Sequence, residues 1–492
     1  MLSFQWCANH SGQQVHGRWT PLMSGTVPEP AAAQADSVDS QDTERPGQRG
    51  ISRTTLVSLS LASFVPAVAF ATGPLIIFSA VGAMAWVSAV VSMIATICIG
   101  ASVIHFARRY VASGSLYSYV GYVFAPWSKK IVGASLLGAY ITGVAGLIVI
   151  VGMYLGSFLH SLGVESAAQL GSLLIIGAVT IVVIAVVAVR GLDTSIWAAI
   201  VLTVVSLPLV LFIVGASVVH TGIDVAAQLD FASFEISGAL RGAALGMVVL
   251  VGFESCAALA TETADPRRNV PWAIIAPPVV IGGGVPIFIM LTVPGLLAAG
   301  DDLAAGVSAP AALAAQAGLP AWIGQFSDLV LAIASIGSAL AFLNYGARLV
   351  VRLAEDGLLP PAFARVDTRR GTPVAAIVGV AVASLGWLVA SASLLQNIVE
   401  VYTMTAALVI DLWVLPYILI AVAAVVQTAR EGHVRPWLWV ASVIGAVSMT
   451  WVLISGLVDA APGAASKMIY VMIATIAVLL GVFRYSRTRS GN

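Results

Sequence analysis

The feature that most constrains this chain is a series of apolar stretches that begins near Thr54 and continues almost to the end. Each stretch is about 20 residues long, the length that a helix needs to cross the roughly 30 Å hydrocarbon layer of a bilayer. Only 9% of the 492 residues are charged and 59% are hydrophobic, whereas an ordinary soluble domain has roughly 25% charged residues. So few charges would not cover a soluble protein of this size. The sequence therefore predicts an all-α integral membrane protein.

Twelve membrane-spanning helices are predicted. They are expected at residues 54–79, 82–105, 131–155, 169–189, 195–219, 239–262, 272–297, 322–350, 373–393, 398–427, 437–457 and 467–484. The preceding residues 1–50 are polar and contain no apolar run. We therefore expect a disordered tail and not a signal peptide, and translation from Met23 instead of Met1 stays open.

The basic residues predict the orientation. Of the 23 Lys and Arg residues, 21 lie in the two terminal segments or in alternate loops, and the exceptions are Arg241 and Lys467. Because loops rich in Lys and Arg stay in the cytoplasm, we expect both termini to be cytoplasmic, including a basic tail at 485–492. The formal net charge of zero gives no indication of a nucleic-acid partner. The three cysteines are far apart, and we expect Cys98 and Cys256 to be buried, unpaired thiols.

The sixth apolar stretch is interrupted by a carboxylate. Residues 252–271 read GFESCAALATETADPRRNVP, which places Glu254 two residues after Gly252. A carboxylate at mid-membrane depth is costly and by itself suggests a functional site. The neighbouring glycine lets the helix unwind, so that backbone amides and carbonyls line a cavity or a ligand. This stretch is the strongest candidate for a site in the chain.

This stretch resembles the sixth span of the amino acid–polyamine–organocation (APC) permeases, whose pattern is GFE-S followed by E-x-x-x-P-x-R-N-x-P. Residues 112–120 (ASGSLYSYV) resemble the segment between the second and third spans of that family. Residues 348–360, with Asp356-Gly357, resemble its pattern after the eighth span. With Thr372-Pro373 at the start of the ninth span, the resemblance covers roughly residues 54–484.

The resemblance implies a LeuT-type fold with two inverted repeats of five helices, at 54–219 and 239–427, followed by two more helices at 437–484. It implies a secondary active transporter that moves amino acids across the plasma membrane by alternating access, through proton or sodium symport or through exchange. The site is expected at mid-membrane between broken first and sixth helices. There a half-helix N-terminus presents free N–H groups to the substrate carboxylate, and unwound carbonyls accept the ammonium group.

Candidate substrate contacts lie at these two breaks. In the first span the break is expected across residues 64–70, with Thr72-Gly73-Pro74 as a competing location. The expected contacts are Pro66, Ala67, Val68, Ala69 and Phe70 in the first helix, and Val251, Gly252 and Phe253 in the sixth. A simple proline kink at Pro66 and a packed core position for Phe253 are the alternatives.

Two carboxylates are candidates for gating or proton coupling, Glu254 and Asp411. The alternatives are a buried hydrogen-bond network for Glu254, and for Asp411 a pairing with a polar neighbour in the tenth span. Glu262 is expected to form a salt bridge at a helix end, near Arg267 and Arg268.

Three serines are candidates for an ion site, because many family members have a lysine in the fifth span where this chain has Ser206 or Val205. Without that lysine, Ser335 and Ser338 could join carbonyls of the first span in a sodium site. The alternative is that these hydroxyls satisfy local backbone carbonyls.

Other functional classes are less compatible with the sequence. It contains no HExxH or GxSxG motif and only six His, so an enzyme is not expected, and no cofactor is required beyond a coupling ion such as H⁺ or Na⁺. The expected partners are a small amino acid or amine and the lipid bilayer. A transporter of polyamines or other small amines, a channel and a ligand sensor with a transporter fold stay open, as does the oligomeric state.

Overall fold

The computed structural model describes residues 50–233, 235–304, 307–367, 371–395, 397–458 and 467–490. The expected disordered tail lies outside these residues except for Gly50. Helix continues through Ser490, so the segment expected as a separate basic tail begins inside the last helix.

The described residues are helical and include no β-strand; Ile51 and Thr263 form an isolated bridge. The α-helices are α1 Arg53–Ala62, α2 Pro66–Val81, α3 Ala85–Ala107, α4 Leu116–Val123, α5 Pro126–Ser161, α6 Leu170–Arg190, α7 Leu192–Thr221, α8 Val225–Gln228, α9 Ile236–Gly246, α10 Pro266–Ala298, α11 Gly300–Ala304, α12 Ala309–Gln316, α13 Ala321–Glu355, α14 Val374–Leu394, α15 Ile398–Arg430, α16 Pro436–Val458 and α17 Met468–Ser490. Short 3₁₀-helices lie between them, and Ser255–Glu262 is the longest of those described.

The predicted all-α membrane architecture is confirmed. Eleven helices in the described part of the chain are long and apolar enough to cross a membrane, and the first of them combines α1 and α2. The sixth predicted span differs, since it consists of a short apolar helix, Ile236–Val249, an interruption and the 3₁₀-helix Ser255–Glu262. Together they account for the twelve predicted spans, whereas the division into repeats at 54–219 and 239–427 stays a prediction.

Helices α5 and α13 form the centre of the molecule. They have 36 and 35 residues, which corresponds to roughly 50 Å of helix, and they pack against each other along their length. Helix α15 packs against α5, and α7 packs against α13. The interrupted first and sixth spans lie against these long helices, so α5, α13 and α15 supply the side chains that contact the breaks.

The outer surface is apolar, as a lipid environment requires. Val179 and Val182 of α6 and Val440 and Val447 of α16 are about 60% exposed. The largest fully buried side chains, by contrast, include Trp413, Tyr345 and Tyr417, whose polar groups need hydrogen-bond partners in the interior. Those partners identify the site.

Candidate binding site at two helix breaks

The first break comprises Ser63 to Val65, between the end of α1 and the start of α2. Val65 has φ of 40°, in the left-handed region that β-branched residues rarely adopt. Pro66 then occupies the first position of α2, where its missing N–H costs nothing and its fixed φ favours a helix start. The break is therefore shorter than the predicted 64–70, and the competing location at 72–74 is wrong because those residues are helical.

Helix α13 holds the first break in place. The Ser63 hydroxyl donates to the Leu59 carbonyl at 2.7 Å and forms a hydrogen bond with the Tyr345 hydroxyl at 2.8 Å. The Ser338 hydroxyl donates to the Ser63 carbonyl. The Leu59 carbonyl also accepts the Ser63 N–H, whereas the bond from Ser338 satisfies a carbonyl that the end of α1 would otherwise leave buried without a partner.

The second break centres on Gly252, whose φ is +85°. Its N–H donates to the Tyr417 hydroxyl at 2.7 Å instead of continuing the helix. A Cβ atom at this position would lie 3.0 Å from ring carbons of both Phe342 and Trp413. Glycine is therefore required twice here, for the backbone conformation and for the close approach of two rings.

Glu254 is 1% exposed and lies in a hydrogen-bond network. The Trp413 indole nitrogen donates to one carboxylate oxygen at 2.9 Å, and the Tyr417 hydroxyl donates to the other at 2.6 Å. Trp413 and Tyr417 are four residues apart and so lie on one face of α15. Because Tyr417 also accepts from the Gly252 N–H, the carboxylate is linked to the backbone of the break. This is the buried network that the sequence left open as an alternative.

Both breaks contact the ring of Phe342 on α13. Phe64, in the first break, packs edge-on against Phe342 with 5.7 Å between ring centroids. At the second break, a Cβ on Gly252 would lie 3.0 Å from the same ring. Trp413 and Tyr140 lie 6.0 and 6.3 Å from it. We call Phe64, Tyr140, Phe342 and Trp413 the aromatic cluster.

Helix α5 borders the aromatic cluster through Gly143 and Tyr140. A Cβ on Gly143 would lie 3.7 Å from Trp413 and 3.9 Å from Phe342. The Tyr140 hydroxyl donates to the Ser255 hydroxyl at 2.9 Å. This bond joins α5 to the 3₁₀-helix that follows the second break. Four of the aromatic residues at the breaks were not predicted from the sequence: Phe342, Tyr140, Trp413 and Tyr417. A weak signal was available in the aromatic pair four residues apart on α15.

The predicted contact residues divide into two groups. Ala67, Val68 and Ala69 form the buried first turn of α2. Val65 O accepts from the N–H groups of Val68 and Ala69, and the Ala67 N–H has no acceptor in the described part of the chain. In the sixth span, Val251 directly precedes Gly252 and is 4% exposed. These residues lie where a ligand between the breaks would meet the backbone.

The two predicted aromatic contacts pack elsewhere. The Phe70 ring stacks on Phe288 of α10, with 4.3 Å between centroids and 8° between planes. The Phe253 ring is fully buried, 5.5 Å from that of Tyr417, and it faces Gly100 of α3. These contacts correspond to packed core positions, the alternative stated for Phe253.

The structure does not bring Asp411 together with Glu254. Asp411 is buried, and its carboxylate faces α16, where a Cβ on Gly456 would lie 3.9 Å away. It lies two positions before Trp413 on α15, about 200° around the helix. Trp413 and Tyr417 therefore point to the break and Asp411 points to a neighbouring helix.

The three candidate ion-site serines satisfy carbonyls. Ser206 and Ser335 donate to Thr203 O and Leu331 O within their own helices, at 3.1 and 2.8 Å. Ser338 alone of the three reaches the first break, through Ser63 O. Within the described residues there is no group of three or more His, Cys, Asp or Glu side chains that could hold a metal.

A third intramembrane carboxylate, Asp328 of α13, was missed by the sequence analysis. It is 2% exposed and accepts hydrogen bonds from Ser157 of α5, at 2.6 Å, and from Ser308. Ser308 also caps α12, accepting from Ala311 N at 3.3 Å. The signal was the same as for Asp411, an acidic residue inside an apolar span. Its contacts join α5, α13 and α12.

The far end of the sixth span is closed by one ion pair and by backbone hydrogen bonds. Glu262 accepts from Arg348 through both carboxylate oxygens, at 2.6 and 3.1 Å. The predicted salt bridge is thus present, with Arg348 of α13 as the partner. Ile51 N donates to Glu262 O at 2.8 Å, and Ala264 N donates to Ile51 O at 3.0 Å. The segment before α1 is therefore paired with the end of the sixth span.

A second charged cluster joins the other two family-like segments. The carboxylate of Asp356 accepts from Lys129 at 2.6 Å and from Tyr117 at 2.5 Å, and Arg352 lies 3.2 Å away. Partial burial by itself would raise the pKa of the Asp356 carboxyl, but the Lys129 and Tyr117 hydrogen bonds and the Arg352 charge together lower that pKa below its usual value. Asp356 is therefore ionised at neutral pH and keeps Lys129 and Arg352 paired.

Comparisons with known proteins agree with this arrangement. A family model described as amino acid permease matches residues 51–479. The chain is 27% identical over 304 residues to an uncharacterized transporter of Mycobacterium tuberculosis. The matched region is 60% of this chain and 64% of the relative, so the chain covers less than two thirds of the length of that relative.

The names of two further relatives state a class of substrate. A branched-chain amino acid permease of Bacillus subtilis is 23% identical over 360 residues, covering 70% of this chain and 74% of the relative. Human cationic amino acid transporter 4 is 31% identical over 325 residues, covering 63% and 50%. Each match spans the larger part of the chain described above.

Proposed function

We propose, from the premise that this chain belongs to the amino acid permease family, that it is a secondary active transporter of amino acids. It moves its substrate across the plasma membrane by alternating access, with both termini in the cytoplasm. The observation that carries the proposal is that two interrupted helices meet at one ring, Phe342, deep in the helix bundle. Interrupted backbone at this depth supports a ligand site, since lipid would not satisfy its polar groups.

The two breaks offer complementary groups to a zwitterion. The substrate carboxylate is proposed to bind at the start of α2, where the Ala67 N–H has no acceptor in the described residues and the helix dipole is positive. The substrate ammonium is proposed to bind carbonyls of the second break. In a regular helix the Gly252 N–H would donate to Val248 O. Here it donates to the Tyr417 hydroxyl instead, so Val248 O lacks its usual helical donor.

The aromatic cluster supports a neutral, apolar substrate side chain. Phe64, Phe342 and Trp413 offer ring surfaces next to both breaks. Glu254 is the acidic residue at the break, and both its oxygens already accept hydrogen bonds. A cationic side chain would have to displace Trp413 or Tyr417 to reach it, so we place leucine-like amino acids ahead of lysine-like ones. The name of the Bacillus relative agrees with this order, and that of the human relative does not.

Coupling is proposed to occur through proton or sodium symport or through exchange. Glu254 is the candidate for gating, because it links the second break to α15 through Tyr417. Asp411 is the candidate for proton coupling away from the site. Replacing Asp411 with Asn is expected to flatten the pH dependence of accumulation, and wild-type accumulation at every pH would dismiss that role.

The test is uptake by purified protein in proteoliposomes that contain a mixture of unlabelled amino acids. Labelled leucine, lysine, glutamate and putrescine are offered singly, at two internal pH values and with or without a sodium gradient. Saturable uptake of leucine that depends on the internal amino acids or on an ion gradient is the expected result. Uptake of putrescine alone would favour an amine transporter, and binding without uptake would favour a sensor.

A further inference from the structure

An apolar groove lies on the outer surface at the start of α14. Its volume is about 880 Å³, within the range of small-molecule sites. One wall is the stripe of α14 that includes Val374, Val378 and Val382, and the other is the preceding segment with Phe363 and Arg365. Val378 and Val382 are 46% and 64% exposed, so the groove opens toward lipid.

The shape of the groove depends on a glycine. A Cβ on Gly379 would lie 2.8 Å from the Phe363 ring, so the absence of a side chain lets this ring lie directly against α14. The 3₁₀-helix Pro361–Ala364 is thereby held beside the span and forms the second wall. The packing of Phe363 against Gly379 therefore determines the shape of the groove.

The groove extends from the membrane surface into the hydrocarbon. Val382 lies eight residues after Val374, about 12 Å along the helix axis, and one leaflet contributes about 15 Å of hydrocarbon. Arg365 marks the surface end, on the side of the bilayer that carries the basic loops. The groove is therefore long enough for much of one acyl chain of a lipid in that leaflet.

The charge at the surface end selects the headgroup. Arg365 is exposed and forms no ion pair within the described part of the chain. Asp367, the other charged residue of the groove, has a partner of its own. A guanidinium group beside an apolar groove suits a phosphate-bearing anionic headgroup, because it binds phosphate oxygens in a bidentate manner.

We propose that this groove is a binding site for an anionic phospholipid of the leaflet on the basic side, with one acyl chain against Val378 and Val382 and the phosphate on Arg365. The proposal does not depend on the transported substrate. In this proposal the valines of α14 bind the acyl chain and Arg365 determines the headgroup preference. Mutation of each part therefore tests it separately.

The experiment is native mass spectrometry of purified, detergent-solubilised protein titrated with dioleoyl phosphatidylglycerol or dioleoyl phosphatidylcholine, which have the same chains. Wild-type protein is expected to bind one phosphatidylglycerol about fivefold more tightly than phosphatidylcholine, the effect of one basic residue at a membrane surface. Arg365→Gln should remove that preference. Val378→Trp, which fills an exposed part of the groove, should weaken the binding of both lipids.

The matched control is Arg108→Gln, an exposed arginine on the same side of the bundle at the end of α3. It should keep the wild-type preference. Equal affinity of the two lipids for wild-type protein, or an equal effect of Arg108→Gln and Arg365→Gln, would overturn the proposal. So would a protein dimer that Val378→Trp dissociates, because the groove would then be an interface between copies. Melting temperatures confirm that each variant is folded.

Discussion

The two helix breaks reach a similar geometry with different local chemistry. At the first break the left-handed residue is Val65, with φ of 40°, and at the second it is Gly252, with φ of +85°. The first is stabilised by hydroxyls of α13, from Ser338 and Tyr345. The second is stabilised by α15, through Tyr417.

The two breaks differ in whether they leave room for a side chain at the residue with positive φ. Val65 is 2% exposed and its side chain packs in the core, so the first break accepts a side chain at a backbone cost of about 1–2 kcal/mol. Gly252 has no room for a side chain, because Phe342 and Trp413 lie where a Cβ would be. The second break should therefore be far less tolerant of substitution than the first.

The largest effect is expected for Gly252→Ala. The methyl group would require a rare backbone conformation, which costs roughly 1–3 kcal/mol, and would also displace two packed rings at a further cost of about 1–3 kcal/mol. Amino acid uptake should fall about 100-fold or more. Gly215→Ala of α7, where a Cβ meets open space, is the matched control and should transport normally. Uptake by Gly252→Ala above half of the wild-type rate would contradict the account.

The next largest effect is expected when the hydrogen bonds between α15 and the second break are removed. Glu254→Gln replaces one of the two oxygens that accept from Trp413 and Tyr417 with an NH₂ donor, and Tyr417→Phe removes the hydroxyl that links Glu254 to Gly252. Since a buried donor or acceptor left without a partner costs about 1–3 kcal/mol, each variant should lose roughly tenfold or more of its uptake at unchanged expression.

The control for that pair is Tyr470→Phe, since Tyr470 is 66% exposed on α17. It should behave as wild type in the same uptake assay. Unchanged uptake with unchanged pH dependence in Glu254→Gln would show that the carboxylate is dispensable, and unchanged uptake in Tyr417→Phe would show that α15 does not set the geometry of the second break.

A smaller effect is expected on the α13 side. Ser338→Ala leaves the Ser63 carbonyl without its donor, at a cost of about 1–3 kcal/mol for a buried acceptor, so uptake should fall several-fold. Ser335→Ala removes only a bond within its own helix and should change uptake little. If Ser338→Ala instead abolished a sodium dependence that Ser335→Ala also weakened, the two serines would be ion ligands and not backbone partners.

The smallest effect is expected for Val65→Gly. Glycine relieves the left-handed conformation by about 1–2 kcal/mol but gives up a buried side chain that contributes about 1.5–3 kcal/mol. The two terms nearly cancel, so uptake should stay within about twofold of wild type. A loss as large as that of Gly252→Ala would mean that the two breaks do not differ in tolerance.

The same contrast explains what the sequence could predict. The second break was placed correctly because Gly252 and Glu254 interrupt an apolar stretch, a pattern that is rare and costly in a membrane. The first break has no glycine, and the sequence predicts it across residues 64–70, where Pro66 interrupts the helical pattern. The structure uses Pro66 as the first residue of α2, a position that proline favours, so the break ends at Val65 and not at Phe70.

The partners of the breaks could not be predicted from local pattern. Trp413 and Tyr417 are about 160 residues from Glu254 in sequence, and only the packing of α15 against the sixth span brings them together. Asp411 was selected because it is an acid in an apolar span, but helix geometry turns it away from the face that carries Trp413. An acidic residue in an apolar span indicates a special environment, but not which helix it faces.

The measurement that tests the central claim most directly is equilibrium binding of labelled leucine to detergent-purified protein, for wild type, Gly252→Ala and Gly215→Ala side by side. The claim is that an amino acid binds where the two breaks meet at Phe342. It predicts one saturable site in wild type and in Gly215→Ala, and no measurable site in folded Gly252→Ala. Saturable binding of the same affinity in Gly252→Ala would place the amino acid elsewhere in the molecule and contradict the claim.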